Sequence, residues 1–152
     1  MDINYETLEN EIILSLEKNK IWILSTSNKD YVTSRSMSII NKGIDIYFQT
    51  NKCYIKYTQM QENKNVSLCL NNISIEGTVE EIGNWKDEKN NELMELYKST
   101  HKGSFDSYGL LDGQVVFKVK AKTIKLWKYI DGKPFRETLY VDKKIAKQLD
   151  FM

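Results

Sequence analysis

A mostly β barrel with helices on its outside is the fold this sequence predicts, and three observations carry it. Short apolar runs of strand length recur along the chain. Most consecutive runs are separated by turns rich in Asn, Asp or Gly rather than by long crossovers. A few other segments switch to helical periodicity. Short turns between consecutive strands favour antiparallel pairing. With 152 residues the chain is long enough for one domain with a sizeable core and too short for two ordinary ones.

Tyr5, Leu8, Ile12, Ile13 and Leu16 recur at helical spacing behind Asp2 or Asn4 as N-cap, which predicts a helix over 4–18. Ile21 to Thr26 reads as a buried strand. Asn28-Lys29-Asp30 turns the chain into a second strand, Tyr31 to Ile40. Asn41-Lys42-Gly43 is the next turn, and Ile44 to Gln49 the returning strand. Cys53, Tyr57 and Met60 at i, i+4 and i+7 predict a helix of about three turns from Asn51. Val66 to Leu70 and Ile73 to Ile82 are strands joined at Asn71-Asn72. Trp85 to Thr100 is a charged helix with Leu93, Leu96 and Tyr97 on one face. His101 to Gly113, with three of the seven glycines, reads as a loop. Gln114 to Val119 and Thr123 to Tyr129 are the last strong strands, Asp131-Gly132 a tight turn, and Asp142 to Leu149 a closing helix. There is no internal repeat, and the only proline, Pro134, marks no linker.

Lys plus Arg is 22 against 21 Asp plus Glu, a balance that argues against general binding to nucleic acid or anionic membranes. One histidine rules out a His-pair metal site and leaves one candidate for a nucleophilic triad. Cys53 and Cys69 are too far apart for a CxxC motif. Two cysteines do not make a secreted disulfide scaffold, so a cytoplasmic, reducing compartment is expected. The first ten residues carry Asp2, Glu6 and Glu9 and no apolar signal-peptide core. No apolar run reaches membrane-span length. The abundance of Lys, Ile and Asn suggests an AT-rich bacterial genome. With so few catalytic side chains, any redox or transfer chemistry needs a cofactor to supply the reactive group.

His101 falls at a helix end, where a cation suits the dipole, and reads as structural. Cys53, in register with Tyr57 and Met60, reads as core. Glu80-Glu81 and Asp87-Glu88 are sequence neighbours that do not face each other, so they read as solvated charge. The stronger signal is anionic. Tyr47 to Lys56 runs a strand into a helix start, where backbone N–H groups favour a phosphate. Lys52 and Lys56 fall on one face of that helix, and Thr50 offers a hydroxyl. Arg35 lies in line with Met37 and Ile39, where it needs an anion or a route to solvent. Against this stands the reading that both lysines are solvated and Arg35 snorkels.

Several runs together resemble the pyridoxamine 5′-phosphate oxidase-like, FMN-binding split-barrel family. They are Val32-Thr33-Ser34-Arg35-Ser36-Met37-Ser38, Ile46-Tyr47-Phe48-Gln49-Thr50-Asn51-Lys52, Lys56-Tyr57, Glu62-Asn63 and Ile73-Ser74-Ile75-Glu76-Gly77. Val116 to Val119 and Ile124-Lys125-Leu126-Trp127 look like that family's last barrel strands. The resemblance implies one split-barrel domain over 1–152, roughly six- to seven-stranded and antiparallel, with peripheral helices. It also implies a homodimer with FMN at the subunit interface. By motif position Arg35 and Lys56 look like phosphate ligands, with Gln49, Thr50 and Lys52 beside them. Ser36, Met37 and Ser38 would run along the flavin. Asn72 falls where the family has a glutamine bonded to the ring, and Trp127 where it has a tryptophan from the other subunit. Arg136 lies near another family arginine, offset from it. Trp127 stays open between a flavin-facing surface and a core strand tryptophan.

The sequence departs from the vitamin B6 oxidase itself. Ile55 stands where that enzyme has an arginine before its lysine, and Ile40 where it has a lysine. Lys133-Pro134-Phe135-Arg136-Glu137 lacks its Arg-x-His pair. The likeness is closer to small bacterial members of the general stress protein 26 and nitroimidazole-reductase type. It implies an FMN oxidoreductase acting on a small molecule. The residues themselves point to no metal, nucleic acid or membrane partner and to no obligatory acid or base, although Tyr54 or Tyr57 could donate a proton, Tyr57 reading rather as packing. The alternatives are a non-catalytic flavin, haem or deazaflavin module, for which His101 is the sole axial candidate, and a cofactor-free scaffold.

Overall fold

The computed structural model describes residues 1–150. Its first helix, α1 (Tyr5–Lys18), follows the expected bounds. The Asn4 side chain accepts from the Thr7 N–H, and Leu8, Ile12 and Leu16 are buried on one face. Strand β1 (Asp2–Ile3) precedes it. β2 (Ile21–Asn28) and β3 (Tyr31–Ser38) form a hairpin whose two turn residues, Lys29 and Asp30, both have positive φ, the geometry that matches strand twist.

The expected strand to Ile40 breaks at Ile39, whose N–H donates to Lys20 O at 2.9 Å. The chain then changes partner. β4 (Ile40–Lys42) pairs not with β2 but with β5 (Asp45–Asn51). Helix α2 (Ile55–Glu62) starts later than Asn51 because the preceding residues are held otherwise. Asn51 stays in register with Gln114, Lys52 N–H donates to Gly113 O at 2.9 Å, and Cys53 N–H donates to Asn51 Oδ1 at 3.1 Å. Cys53 is therefore exposed rather than core. Lys52 precedes the helix and is exposed, so it shares no helix face with Lys56.

β6 (Asn65–Leu70) and β7 (Ile73–Glu81) pair as expected through Asn71-Asn72. Trp85 is not helical. It is buried to 1% exposure ahead of a short turn of helix, Glu88–Asn90, and α3 (Asn91–Thr100). The expected loop after His101 is instead helical: one turn, Lys102–Ser104, then a π-type turn, Phe105–Gly109, anchored by buried Phe105. At Gly109 a Cβ would sit 2.7 Å from the Phe105 ring, so only glycine fits.

The last two expected strands are one, β8 (Gln114–Ile130). A bulge at Glu76/Gly77 absorbs the register change, so β7 follows β8 without a break. β9 (Lys133–Tyr140) returns through Asp131-Gly132. The expected closing helix is a strand, β10 (Ile145–Asp150), hydrogen-bonded on one side to β9 and on the other to β1.

The strand order β1-β10-β9-β8-β7-β6-β2-β3 continues past the first half of β8 to β5 and β4. The six strands β5, β8, β7, β6, β2 and β3 wrap the main core. Leu24, Leu68, Ile75 and Ile124 form a fully buried row on its inner wall, and Phe48 stacks on Phe117 at 5.8 Å. β3 and β5 share no ladder among the described residues, so the barrel is split there. A second cluster of Tyr47, Trp85, Leu93, Tyr97, Phe105 and Val116 packs outside β5, under α3. No helix among the described residues is long and apolar enough to cross a membrane.

Candidate functional site

A cavity of about 520 Å³ opens in the split between the edge of β3 and the end of β5. It is lined by Ser36, Met37, Ser38, Gln49, Thr50 and Lys56, all expected site residues. The first half of β5 has β4 on one side and β8 on the other, but Phe48 to Asn51 keep only β8. That end of β5 and the open edge of β3 therefore face the cavity with backbone groups as well as side chains.

Thr50 is 2% exposed, and its hydroxyl has no hydrogen-bond partner. A buried hydroxyl without a partner is costly and rare, and this one lies in a cavity wall. Beside it Lys56 is held below the usual lysine range, first by burial and then by the charge of Arg35, with a smaller opposing effect from Cys53. Its ammonium sits 4.3 Å from the Tyr54 ring centre. Burial also holds the Arg35 guanidinium below its usual value. Neither cation has a carboxylate partner among the described residues. Lys56 and the unused Thr50 hydroxyl share one cavity wall, and the charge of Arg35 is felt at Lys56, an arrangement that could accept an anion.

Arg35 does not itself line the cavity. Its guanidinium donates to Thr26 Oγ1 at 2.8 Å, to Leu24 O at 3.3 Å and to Thr33 Oγ1. The two threonine hydroxyls donate in turn to Gln59 Oε1, at 2.5 and 2.7 Å, and Gln59 Nε2 donates to Tyr31 O at 3.2 Å. Buried Gln59 thus turns both threonine lone pairs toward the guanidinium, which is fixed by neutral acceptors and keeps its charge. Sequence reasoning missed Gln59. Its signal was a glutamine beside Met60 on the buried side of α2.

On the opposite face of β5, Gln49 Oε1 accepts from the Trp85 indole N–H at 2.8 Å. Its amide donates to Ser104 Oγ at 3.1 Å and Ser104 O at 3.3 Å. Ser104 Oγ lies 3.1 Å from the Tyr97 hydroxyl, whose pKa burial pushes up, with the Ser104 bond opposing. Tyr97, Ser104, Tyr108, Leu111 and Gln114 wall this side, and Asn51, Cys53 and Tyr54 complete the lining. Tyr97, Ser104, Tyr108, Leu111 and Gln114 are not expected site residues, because they come from a segment that reads as helix face, loop and strand start.

Lys52, Asn72 and Trp127 do not line this cavity. Asn72 and Trp127 meet elsewhere, where Asn72 Nδ2 donates to Trp127 O at 2.7 Å. Trp127 is 43% exposed, which removes the core reading. The Arg136 guanidinium lies 4.9 Å from its ring centre, in a hollow of about 300 Å³ shared with Cys69, Ser74 and Lys125. A third hollow of about 440 Å³, lined by Ser25, Asn65, Glu76 and Lys122 among others, holds none of the expected residues. His101 caps α3, and its Nε2 is 2.7 Å from Ile39 O, in keeping with a structural role. Among the described residues no group of His, Cys, Asp and Glu could hold a metal ion.

No family model and no curated protein matches the chain in sequence. Solved structures do match in shape. The general stress protein 26 of Bacillus anthracis str. Sterne is 19% identical over 95% of this chain and 98% of its own, with a TM-score of 0.60. A Clostridium acetobutylicum protein related to general stress protein 26, of the pyridoxinephosphate oxidase family, is 17% identical over 91% and 98%, at 0.67. A pyridoxamine 5′-phosphate oxidase-related, FMN-binding protein of Nostoc punctiforme is 10% identical over 97% and 95%, at 0.62. The chain therefore has the split-barrel fold of the pyridoxamine 5′-phosphate oxidase-like and general stress protein 26 proteins.

Proposed function

We propose that this protein binds FMN in the cavity between β3 and β5 and works as a flavin oxidoreductase. The observation that carries the reading is that Lys56, a cation with no carboxylate partner among the described residues and within the field of Arg35, lines the same cavity as the partnerless Thr50 hydroxyl. A phosphate monoester answers all three. Lys56 and Thr50 would hold it directly, with Arg35 behind them. The open edge of β3 at Ser36 to Ser38 offers backbone and hydroxyl groups to the polar rim of a flavin, and the cavity is of cofactor size. When bound, the flavin supplies hydride chemistry at its N5. The protein's part is to hold the ring, exclude water on one side and leave the other to a small substrate. FMN binding by the Nostoc punctiforme protein of the same fold supports the reading. The haem alternative is disfavoured because His101 Nε2 is committed to Ile39 O.

The same proposal includes a homodimer. On the outer wall Ile23, Cys69, Ser74 and Lys125 form one cross-strand row over β2, β6, β7 and β8, with Ile23 and Cys69 exposed. Exposed Ile21 and Trp127 lie on the same strands. A second protomer on this wall would bring its own Trp127 and Asn72 toward a flavin that the first protomer holds by phosphate. The test is the visible spectrum of the purified protein, with and without added FMN and then NAD(P)H, together with sedimentation. A flavin spectrum that bleaches on a dimeric protein is expected. A colourless protein that takes up no FMN overturns the reading, and a monomer with full FMN affinity overturns the interface.

A further inference from the structure

Side chains at successive strand positions point to opposite faces, so Thr50 and Gln49 divide the cavity into two compartments around the end of β5. The Thr50 side is cationic. The Gln49 side is walled by Gln49, Tyr97, Ser104, Tyr108, Leu111 and Gln114, and none of these is charged. Among all the described lining residues Lys56 is the only charge. Two basic groups on the same chain segment as Ser104 are engaged elsewhere: His101 on Ile39 O, and Lys102 on Asp106 at 2.5 Å. An anion placed on the Gln49 side would lose water and meet no cation.

We propose that this compartment is the substrate subsite and that it takes an uncharged, planar aromatic compound presenting a carbonyl oxygen. The assignment rests on the flavin reading for its role as a substrate site. Its chemistry rests on a count of protons. Gln49 Oε1 is taken by Trp85, which fixes the amide NH₂ toward Ser104, where both N–H groups find acceptors in Ser104 Oγ and Ser104 O. Tyr97 and Ser104 carry two hydroxyl protons and share one bond, so whichever donates, one proton remains for a ligand. Burial keeps Tyr97 a neutral phenol. The wall therefore presents one surplus hydroxyl donor and asks for an acceptor. At the mouth, half-exposed Tyr108 and Leu111 offer flat apolar surface to a ring.

Three probes separate the requirements: acetophenone, ethylbenzene without the acceptor, and para-acetylbenzoate with an added charge. Each is titrated into FMN-loaded protein by flavin absorbance, and into untreated protein by tryptophan fluorescence. Acetophenone is expected to bind about tenfold tighter than either of the others. Tyr97→Phe or Ser104→Ala alone leaves one surplus hydroxyl proton and keeps much of that preference, whereas the double variant loses most of it. Leu111→Lys, at an exposed position that folding tolerates, is expected to reverse the order in favour of para-acetylbenzoate. Equal binding of the three probes, or tighter binding of para-acetylbenzoate to the wild type, overturns the subsite's chemistry. Failure to take up FMN, with the probe order intact in tryptophan fluorescence, overturns the flavin reading and leaves the ligand class standing.

Discussion

Replacing Thr50 by valine separates ligand binding from stability, because the two should move in opposite directions. Valine keeps the β-branched shape that suits a strand and removes only the hydroxyl. In most buried sites that change costs stability, since a hydrogen bond goes with it. Here the hydroxyl is 2% exposed and bonds to nothing. An unmade buried hydrogen bond carries a penalty of about 1–3 kcal/mol, so its removal should stabilise the ligand-free protein by about 1–2 kcal/mol. For a chain of 152 residues that is a rise in Tm of roughly 2–8 °C. The same hydroxyl is proposed to donate to a phosphate oxygen. Loss of such a charge-assisted bond should weaken FMN binding by about 1.5–3 kcal/mol, about ten- to a hundredfold in Kd. Thermal unfolding of the FMN-free protein and flavin fluorescence titration measure the two. A fall in Tm would mean that the hydroxyl has a partner, and an unchanged Kd would mean that the phosphate lies elsewhere.

Arg35→Ala with Lys56→Ala should weaken FMN by at least the about 1.5–3 kcal/mol of the Lys56 contact, Arg35 adding its longer-range charge, and equilibrium dialysis that shows no loss contradicts the phosphate assignment. Lys56 also sets a pH dependence. Its folded pKa lies below the ordinary 10.5, so between that lowered value and 10.5 the unfolded chain binds more protons. Stability should therefore rise with pH across this window and be flat in this respect below it. Urea unfolding at several alkaline pH values should show the rise in wild type and a weaker one in Lys56→Met; identical slopes sink the idea. Gly77→Ala should destabilise by about 1–3 kcal/mol, because the new Cβ would lie 2.4 Å from Lys120 O in the β7–β8 ladder. A urea midpoint equal to wild type would show that the bulge yields freely.

What the sequence disclosed follows the range of the interactions involved. α1 and the β2–β3 and β6–β7 hairpins are fixed by neighbours a few residues apart, through the Asn4 cap and tight turns such as Lys29-Asp30. β10 is the opposite case. Ile145 and Leu149 stand four apart and read as a helix face, yet both side chains are exposed, and what holds the segment is pairing with β9 and with β1 at the far end of the chain. The stretch His101 to Gly113 has loop composition, but buried Phe105 ties it down as helical turns. The site divides in the same way. Arg35, Thr50 and Lys56 lie within one hairpin-and-helix stretch and were legible. Tyr97 and Ser104 reach Gln49 from about fifty residues along the chain, through packing of α3 that no local pattern encodes.

The split that holds the cavity has a local cause. After Ser38 the chain could have carried β3 on alongside β5 and closed the barrel. Instead Ile39 donates its N–H to Lys20 O, and β4 crosses to pair with Ile46 and its neighbours, leaving Phe48 to Asn51 bonded on one side only. Closure would have satisfied those backbone groups and buried Thr50 against another strand. The open form instead keeps a partnerless hydroxyl and two mutually repelling cations, arrangements that cost stability in the free protein. Because β5 is buried on both faces at its open end, the alternation of its side chains turns one strand terminus into two chemistries: Thr50 beside the cations on the barrel side, Gln49 beside neutral donors on the other. The proposed pair, a phosphorylated aromatic cofactor with an uncharged substrate beside it, would place its anionic end on the Thr50 side and its neutral acceptor on the Gln49 side.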